Sequence, residues 1–374
     1  MNLPVVSVDA YRDFLAHHSD VTEEERARQL VALPECAEAA AALREYGALV
    51  VRDSRVSERE IQQFLELMEA YFGHEGKRED ARPELSYQVG YTPAFTERPR
   101  PIPSGFAGEA PCTPVAASLE QTQRDPKERF FWRIGTRSGG TDFPELNAEP
   151  VVPSRFADCW ARVLDTWGEH LLSTVTLVAE MVALGLGLSR TAFTDMMRDG
   201  PHLLAPTGTD LGKHGDRVGA VLAGFHYDLN FLTIHGKSNF PGLHLWSAQG
   251  QRFEVVVPPG CLLVQAGLQI EWLTGGIIRR GYHEVVVSEA TQRAVEKWRA
   301  QHASGDEQTP RSGPWRVSST LFAHIASDKW LRPLTRTTAD DTTTAAGAAH
   351  YQPVRAGDQV RQELRAIDLA WTRA

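Results

Sequence analysis

The sequence predicts a mainly β core of the sandwich or jelly-roll kind, flanked by α-helices. Three observations carry that fold class. After Gly200 the chain runs as short strand-like segments (FLTIHG, GLHLWS, QRFEVVV, CLLVQAG, IEWLTGG and YHEVVVS) separated by Gly, Pro and Asn turn signals. Strands and helices do not alternate there as a parallel βαβ sheet would need. Before Gly200, by contrast, the chain reads as mixed α and β, with helical periodicity strong in the segment after Ser57 and from Pro153 to Leu186.

The elements follow in order. Leu3 to Val8 is a short β-branched strand, and Thr22 opens a helix with acidic residues in its first turn. Cys36 to Glu45 is Ala-rich and helical, and Ala48 to Asp53 reads as a buried strand. Ser57 caps a helix that places Ile61, Phe64, Leu65, Met68 and Phe72 on one face and ends at Gly73. From Arg82 to Pro153 periodicity gives way to Pro and Gly, the texture of a long ordered pocket loop. Within it RFFWRIG reads either as an ordinary strand or as a pocket wall. A long helix is expected from Pro153 to Leu186, with a second, short one near Ser189. In the strand-rich half, a charged helical insertion at 288–310 precedes the last core strand, PWRVSSTLFAHI. A low-complexity stretch and a helix from Asp358 to Trp371 close the chain, the helix serving for packing or as a lid.

At 374 residues the chain has room for two domains, but the strand series makes it one catalytic unit over 1–374. That unit divides into a mixed region with a pocket loop (1–200), jelly-roll core strands (201–333) and a C-terminal loop and helix (334–374). Acidic residues outnumber basic ones, 48 to 39, for a net charge of −9. Nucleic acid is therefore not the expected partner, because neutralising phosphates needs a basic surface. Four scattered cysteines with no Cys-x-x-Cys spacing predict reduced thiols rather than a disulfide scaffold or a zinc site. The N-terminal stretch lacks the pattern of a signal peptide, and Val175 to Leu188 is too short to span a bilayer. The expectation is a cytoplasmic protein without membrane contact, acting on a small molecule; no oligomeric state is indicated.

Chemistry concentrates in the strand-rich half. His226-Tyr227-Asp228 puts two ligand-type side chains at i and i+2, which in a strand share a face. His283 lies in the later apolar strand YHEVVVS. Two imidazoles and one carboxylate on neighbouring strands can occupy one face of an octahedral metal and leave positions open for cosubstrate and O2, the arrangement of non-haem Fe(II) oxygenases. His18-Ser19-Asp20 has the same spacing but sits on a polar segment before a helix, so the spacing needs its strand context to count. Arg316 and Ser318, again at i and i+2 between apolar flanks, form a candidate carboxylate clamp: a buried guanidinium must find an anion. The alternative for Arg316 is a strand-edge pairing with an acidic side chain. His235 and His244 read as solvent-facing or core-capping, and Cys261 as a small apolar packing residue. Tyr91, Arg98, Phe131 and Arg133 are the candidates for the substrate pocket; Arg98, Arg100 and Arg133 could each hold a substrate carboxylate.

The order HYD, PGL (Pro241 to Leu243), VPPGCLLVQAG, LTGG, YHEVV and RVS resembles the isopenicillin N synthase-like branch of the Fe(II)/2-oxoglutarate-dependent dioxygenases. ALREYGALVVRDSRVSEREI, AYFGHEGKRED and VGYTP resemble that family's leading region, so the resemblance covers nearly the whole chain. It implies a distorted double-stranded β-helix (a jelly roll) with N-terminal helices on one sheet. It implies His226, Asp228 and His283 as Fe(II) ligands, Arg316 with Ser318 as the carboxylate clamp, and 2-oxoglutarate and O2 as cosubstrates. The reaction would be hydroxylation, desaturation or oxidative cyclisation of a small, amino-acid-derived natural product. The chain departs from the pattern in three places. HLLAPTGTDL lacks the tyrosine that many relatives carry before the HxD strand, Gly267-Leu268 replaces Gly-Asp, and the interval from His283 to Arg316 is long. Isopenicillin N synthase itself uses Arg-x-Ser on its substrate's carboxylate, so an oxidase that does not use 2-oxoglutarate is the alternative, and a noncatalytic jelly-roll binding protein a further one.

Overall fold

The structure, a computed structural model, describes residues 3–18, 21–99, 124–137, 139–247, 249–302, 313–334 and 351–369. Arg100, the end of the 288–310 insertion, the low-complexity stretch 335–350 and Trp371 lie outside them. The first half folds as β1 (Val5–Ser7), α1 (Asp9–His17), α2 (Glu23–Val31), α3 (Pro34–Tyr46), β2 (Ala48–Arg52), α4 (Glu58–Gly73), β3 (Gly90–Thr92), β4 (Glu128–Arg133) and α5 (Trp160–Gly185). Thr22 and Ser57 cap α2 and α4 by accepting hydrogen bonds from the backbone N–H groups of Glu25 and Glu60. The long helix starts at Trp160, later than its periodicity suggests, because a short 3-10 turn occupies Ser154–Phe156.

The second half supplies β5 (Leu203–Leu204), β6 (Thr207–Asp210), β7 (Val221–Tyr227), β8 (Leu232–Ser238), β9 (Leu243–Trp246), β10 (Arg252–Glu254), β11 (Cys261–Ala266), β12 (Tyr282–Val286) and β13 (Trp315–Ala323). They form two sheets. The larger runs β1-β2-β11-β8-β13-β5-β4-β3, with β6 paired to β13 and β4; the smaller runs β10-β9-β12-β7. Apolar side chains of both sheets meet between them: Val50 and Leu263 from one, Leu245 and Phe253 from the other, with Cys261 packed as a small apolar residue. Four strands of the larger sheet come from the first 200 residues. The jelly-roll layer is therefore not confined to 201–333 as the strand series suggests: the strands expected at Leu3 to Val8 and Ala48 to Asp53 join the larger sheet as β1 and β2, and β3 and β4 come to it from the long loop.

The outer face of the larger sheet carries α4 and α5. Phe64, Met68 and Phe72 of α4 and Trp160, Trp167 and Leu171 of α5 are buried there with Leu262, Val264 and Leu321. α3 lies close against α5: a Cβ on Gly185 would sit 2.2 Å from the Cys36 carbonyl oxygen and 2.7 Å from Ala40 Cβ, one turn further along α3. Gly185→Ala is expected to lower stability by about 1–3 kcal/mol, because a backbone carbonyl cannot step aside as a side-chain tip can. Urea denaturation measures this, and an unchanged midpoint would contradict the close approach.

One segment departs from its expected structure. IEWLTGG reads as a strand, yet Leu268–Leu273 is helical. Its polar residues are held by tertiary partners invisible to a local pattern. Gln269 Oε1 accepts from the Ile325 backbone N–H, and Glu271 receives the Arg280 Nε at 2.8 Å. This short helix matters for the site, as its first backbone N–H groups hold the turn after β7.

Candidate metal centre and cavity

His226 lies at the end of β7 and His283 on β12, directly opposite each other in the antiparallel register, so both imidazoles project from the same face. Asp228 lies one residue past β7. Its carbonyl accepts from the Leu268 N–H at 2.8 Å, and the Asn230 carbonyl accepts from the Gln269 N–H at 3.0 Å. Gly267 makes that crossing possible, since a Cβ there would fall 2.1 Å from the Asn230 oxygen. The departure Gly267-Leu268 thus belongs to the device that positions Asp228.

The three side chains bring one ligand atom each to within 4.8 Å of one another. His226 Nε2 and His283 Nε2 lie 4.0 and 3.9 Å from Asp228 Oδ1. His226 Nδ1 is 2.6 Å from the Gly224 carbonyl, so it carries the proton there and Nε2 is the unprotonated nitrogen. The Thr233 hydroxyl donates to Asp228 Oδ2 at 2.6 Å, which leaves Oδ1 facing the two imidazoles. This donor set can hold a divalent first-row metal, and the absence of thiolate suits Fe(II). Burial pushes the His283 pKa down, favouring the neutral form a ligand needs. Thr233→Val removes the hydroxyl that orients the carboxylate, and metal affinity is expected to fall about 10- to 100-fold. Anaerobic Fe(II) titration checks it; undiminished affinity would show that Asp228 needs no such support.

The triad opens into a cavity of about 520 Å³, which is larger than one small diacid requires. Along β13, Arg316, Ser318, Thr320 and Phe322 alternate into it, followed by His324 one residue past the strand. Arg316 is 7% exposed, and its hydrogen bond, Nε to the Pro241 carbonyl, is 3.3 Å. No carboxylate among the described residues pairs with it. The expected alternative of an acidic neighbour is therefore not seen, and burial alone pulls the guanidinium down to about 10. A cation in that condition fits an anionic ligand. Thr209, across from Arg316 in the register, and Thr207, across from Ser318, line the same end where relatives carry a tyrosine.

His235 is neither solvent-facing nor a cap, as the sequence suggests. It lies on the cavity wall between strands: Nε2 donates to Gln265 Oε1 at 2.5 Å, and Thr320 Oγ1 donates to Nδ1 at 3.0 Å. Burial lowers its pKa to about 4, so it stays neutral.

The rest of the cavity has two unlike walls. Phe131, Leu203, Leu229, Phe322, Leu364 and Ile367 make one apolar. The other carries Glu97, Asp125, Lys127 and Arg129, paired among themselves: Lys127 Nζ lies 2.9 Å from Glu97 and 2.8 Å from Asp125, and Arg129 meets Glu97. Burial works against the Glu97 charge, but Arg129 and Lys127 outweigh it and hold its carboxyl below the usual range. Asp125 Oδ1 also accepts from the Gly224 N–H at 2.9 Å, tying this wall to the strand that bears His226. Sequence reasoning reached only Arg129 of this wall, within RFFWRIG, and missed Glu97, Asp125 and Lys127, because charged residues in a loop carry no signal of burial.

The pocket candidates separate. Phe131 lines the cavity. Arg98 stands at its rim, 55% exposed, near Asp368. Tyr91 is a correction: paired with Phe130 in the register, it faces the opposite side of the sheet and meets Tyr71 of α4, with ring centroids 6.3 Å apart. Its position on β3 turns it into the helix-side core. Arg133 shares the inward face with Phe131 but lies buried beyond the lining.

Comparison with known proteins agrees with this geometry. Residues 209–324 match the family model for the 2OG-Fe(II) oxygenase superfamily, a span that holds the triad, Arg316 and Ser318. Azadirone synthase LFS from Melia azedarach is 22% identical over 192 residues, 47% of this chain and 56% of that protein's length. A 2OG-Fe(II) oxygenase family protein from Caulobacter crescentus superposes with a TM-score of 0.67 at 21% identity, covering 97% of this chain and 98% of that one. A full-length Neurospora crassa protein solved in complex with alpha-KG gives 0.66 at 16% identity, covering 97% and 96%. At such identities the two structures speak to the fold, a double-stranded β-helix with several helices.

Proposed function

We propose that the chain, whose residues 209–324 match the 2OG-Fe(II) oxygenase superfamily model, is an Fe(II)- and 2-oxoglutarate-dependent oxygenase that oxidises a small molecule. One observation supports this most: the triad and a buried Arg316 without an acidic partner share a single cavity. His226, Asp228 and His283 would hold the metal. Bound there, Fe(II) with 2-oxoglutarate and O2 would supply the chemistry of oxidising a C–H bond, coupled to conversion of 2-oxoglutarate to succinate and CO2. Arg316 and Ser318 would hold a carboxylate of 2-oxoglutarate, with the Thr207 and Thr209 hydroxyls on the paired strand beside them. Gly224 and Thr233 keep the ligand atoms aimed inward. The Phe131, Leu203 and Phe322 wall holds an apolar part of the substrate and keeps water from the reacting centre.

Hydroxylation is the default outcome, and a natural-product substrate is the class we favour. No helix among the described residues is long and apolar enough to cross a membrane. Cys36, Cys159 and Cys261 are free thiols, which accords with a cytoplasmic setting where Fe(II) is available. The test is anaerobic addition of Fe(II) and 2-oxoglutarate, followed by air. A weak visible charge-transfer band and then succinate are expected. Neither band nor succinate would sink the reading, and substrate oxidation independent of 2-oxoglutarate would select the oxidase alternative.

A further inference from the structure

One cationic group in the cavity's surroundings is left without a task. Lys127 and Arg129 are spent on Glu97 and Asp125, and Arg98 lies at the exposed rim near Asp368. Arg133 is different. It is 6% exposed, Nη2 donates to the Thr136 carbonyl at 3.3 Å, and Nε and Nη1 have no partner among the described residues. No described carboxylate lies within ion-pair distance of it; Asp199 acts on it only from further away, and Arg137 and the neutral His202 add nothing to balance it. A guanidinium can be buried this way only at considerable cost unless an anion completes it.

Strand register says where that anion would come from. Arg133 pairs with Leu203, and Leu203 pairs with Phe322, so the three side chains share one face. Leu203 and Phe322 line the cavity, as does Phe131 two residues before Arg133. Two residues beyond Phe322, His324 also lines it, 3% exposed, with Nδ1 unpartnered. The His324 backbone N–H donates to His202 Nδ1 at 3.1 Å, which pins that strand end beside β5. Two unpartnered guanidinium nitrogens of Arg133 and one unpartnered imidazole nitrogen of His324 therefore stand toward the same end of an apolar wall, near enough for the Arg133 charge to act on the imidazole.

We propose that Arg133 and His324 form the anchor for a carboxylate of the substrate, so that the enzyme acts on an organic acid with an apolar body. The inference rests on the oxygenase reading and names the substrate class of the same cavity. The guanidinium presents two N–H groups to one carboxylate, the imidazole adds a third donor, and the apolar wall covers the carbon skeleton. Arg316 stays with 2-oxoglutarate, so the two anions have separate cations.

The experiment compares phenylacetate, 3-phenylpropionate and octanoate with their primary amides. Calorimetry is run on the anaerobic Fe(II)-loaded protein saturated with 2-oxoglutarate. At least one acid should bind about tenfold or more tighter than its amide, the scale of a charge-assisted hydrogen bond. Arg133→Met, similar in volume, should erase the preference. His324→Phe keeps the charge and should reduce the preference, which preserves the test if the first variant folds poorly. The idea is overturned if no acid outbinds its amide, or if the preference survives both substitutions. The charge-transfer band, read in the same sample before the acid is added, reports on 2-oxoglutarate separately. Its absence counts against the oxygenase reading, while a band without acid preference counts against the anchor alone.

Discussion

Asp228→Asn should fold normally and lose turnover by at least about 1,000-fold, equivalent to roughly 4 kcal/mol of transition-state stabilisation. The substitution keeps the shape and the acceptor for the Thr233 hydroxyl, whose present partner is Asp228 Oδ2 at 2.6 Å. The amide oxygen takes that hydrogen bond, which turns the NH2 group toward the two imidazoles. A hydrogen-bond donor then occupies the place of a charged ligand oxygen, and the remaining His226–His283 pair cannot hold a hard divalent ion firmly. The fold should survive, because the Asp228 turn is held by backbone bonds from Leu268 and Gln269 that the side chain does not make. Circular dichroism, Fe(II) titration and succinate release measure the three parts. Activity near the parent level would remove Asp228 from the metal site.

Arg316→Met is the second large effect, and it splits binding from stability. In the proposed reading the guanidinium is the cation for one 2-oxoglutarate carboxylate. Losing a buried charge-paired contact costs about 2–5 kcal/mol, so the affinity for 2-oxoglutarate should fall roughly 30-fold to a few thousandfold. Without ligand the sign reverses. Arg316 is 7% exposed, donates to the Pro241 carbonyl and has no acid beside it among the described residues, so an apolar chain of similar length relieves an uncompensated charge. Tm should stay level or rise while the KM for 2-oxoglutarate climbs. A fall in Tm with an unchanged KM would make Arg316 a structural residue and return the clamp to other groups.

Legibility in the sequence followed the range of the signal. Arg316 and Ser318 stand two apart within one strand, so alternation alone put them on a common face, while His226 and Asp228 carried the same spacing across the end of β7. The caps at Thr22 and Ser57 and the buried face of α4 were equally local. IEWLTGG misled because its apolar spacing suits either period, and the choice was made by Ile325, Arg280 and the turn at Asp228. Tyr91 misled because a short strand in a long loop does not announce which face is inward.

The amino-acid order alone determined the mainly β fold class, the flanking helices and the pairs of ligand-type side chains, since each depends on the period of the backbone over a few residues. Only the tertiary structure decided that His283 faces His226, that His235 is tied to Gln265 and Thr320, and that Lys127 and Arg129 are neutralised while no described carboxylate pairs with Arg316 or Arg133. Those facts depend on strand register and on which charges burial brings within a few ångströms, and no short stretch of chain encodes either.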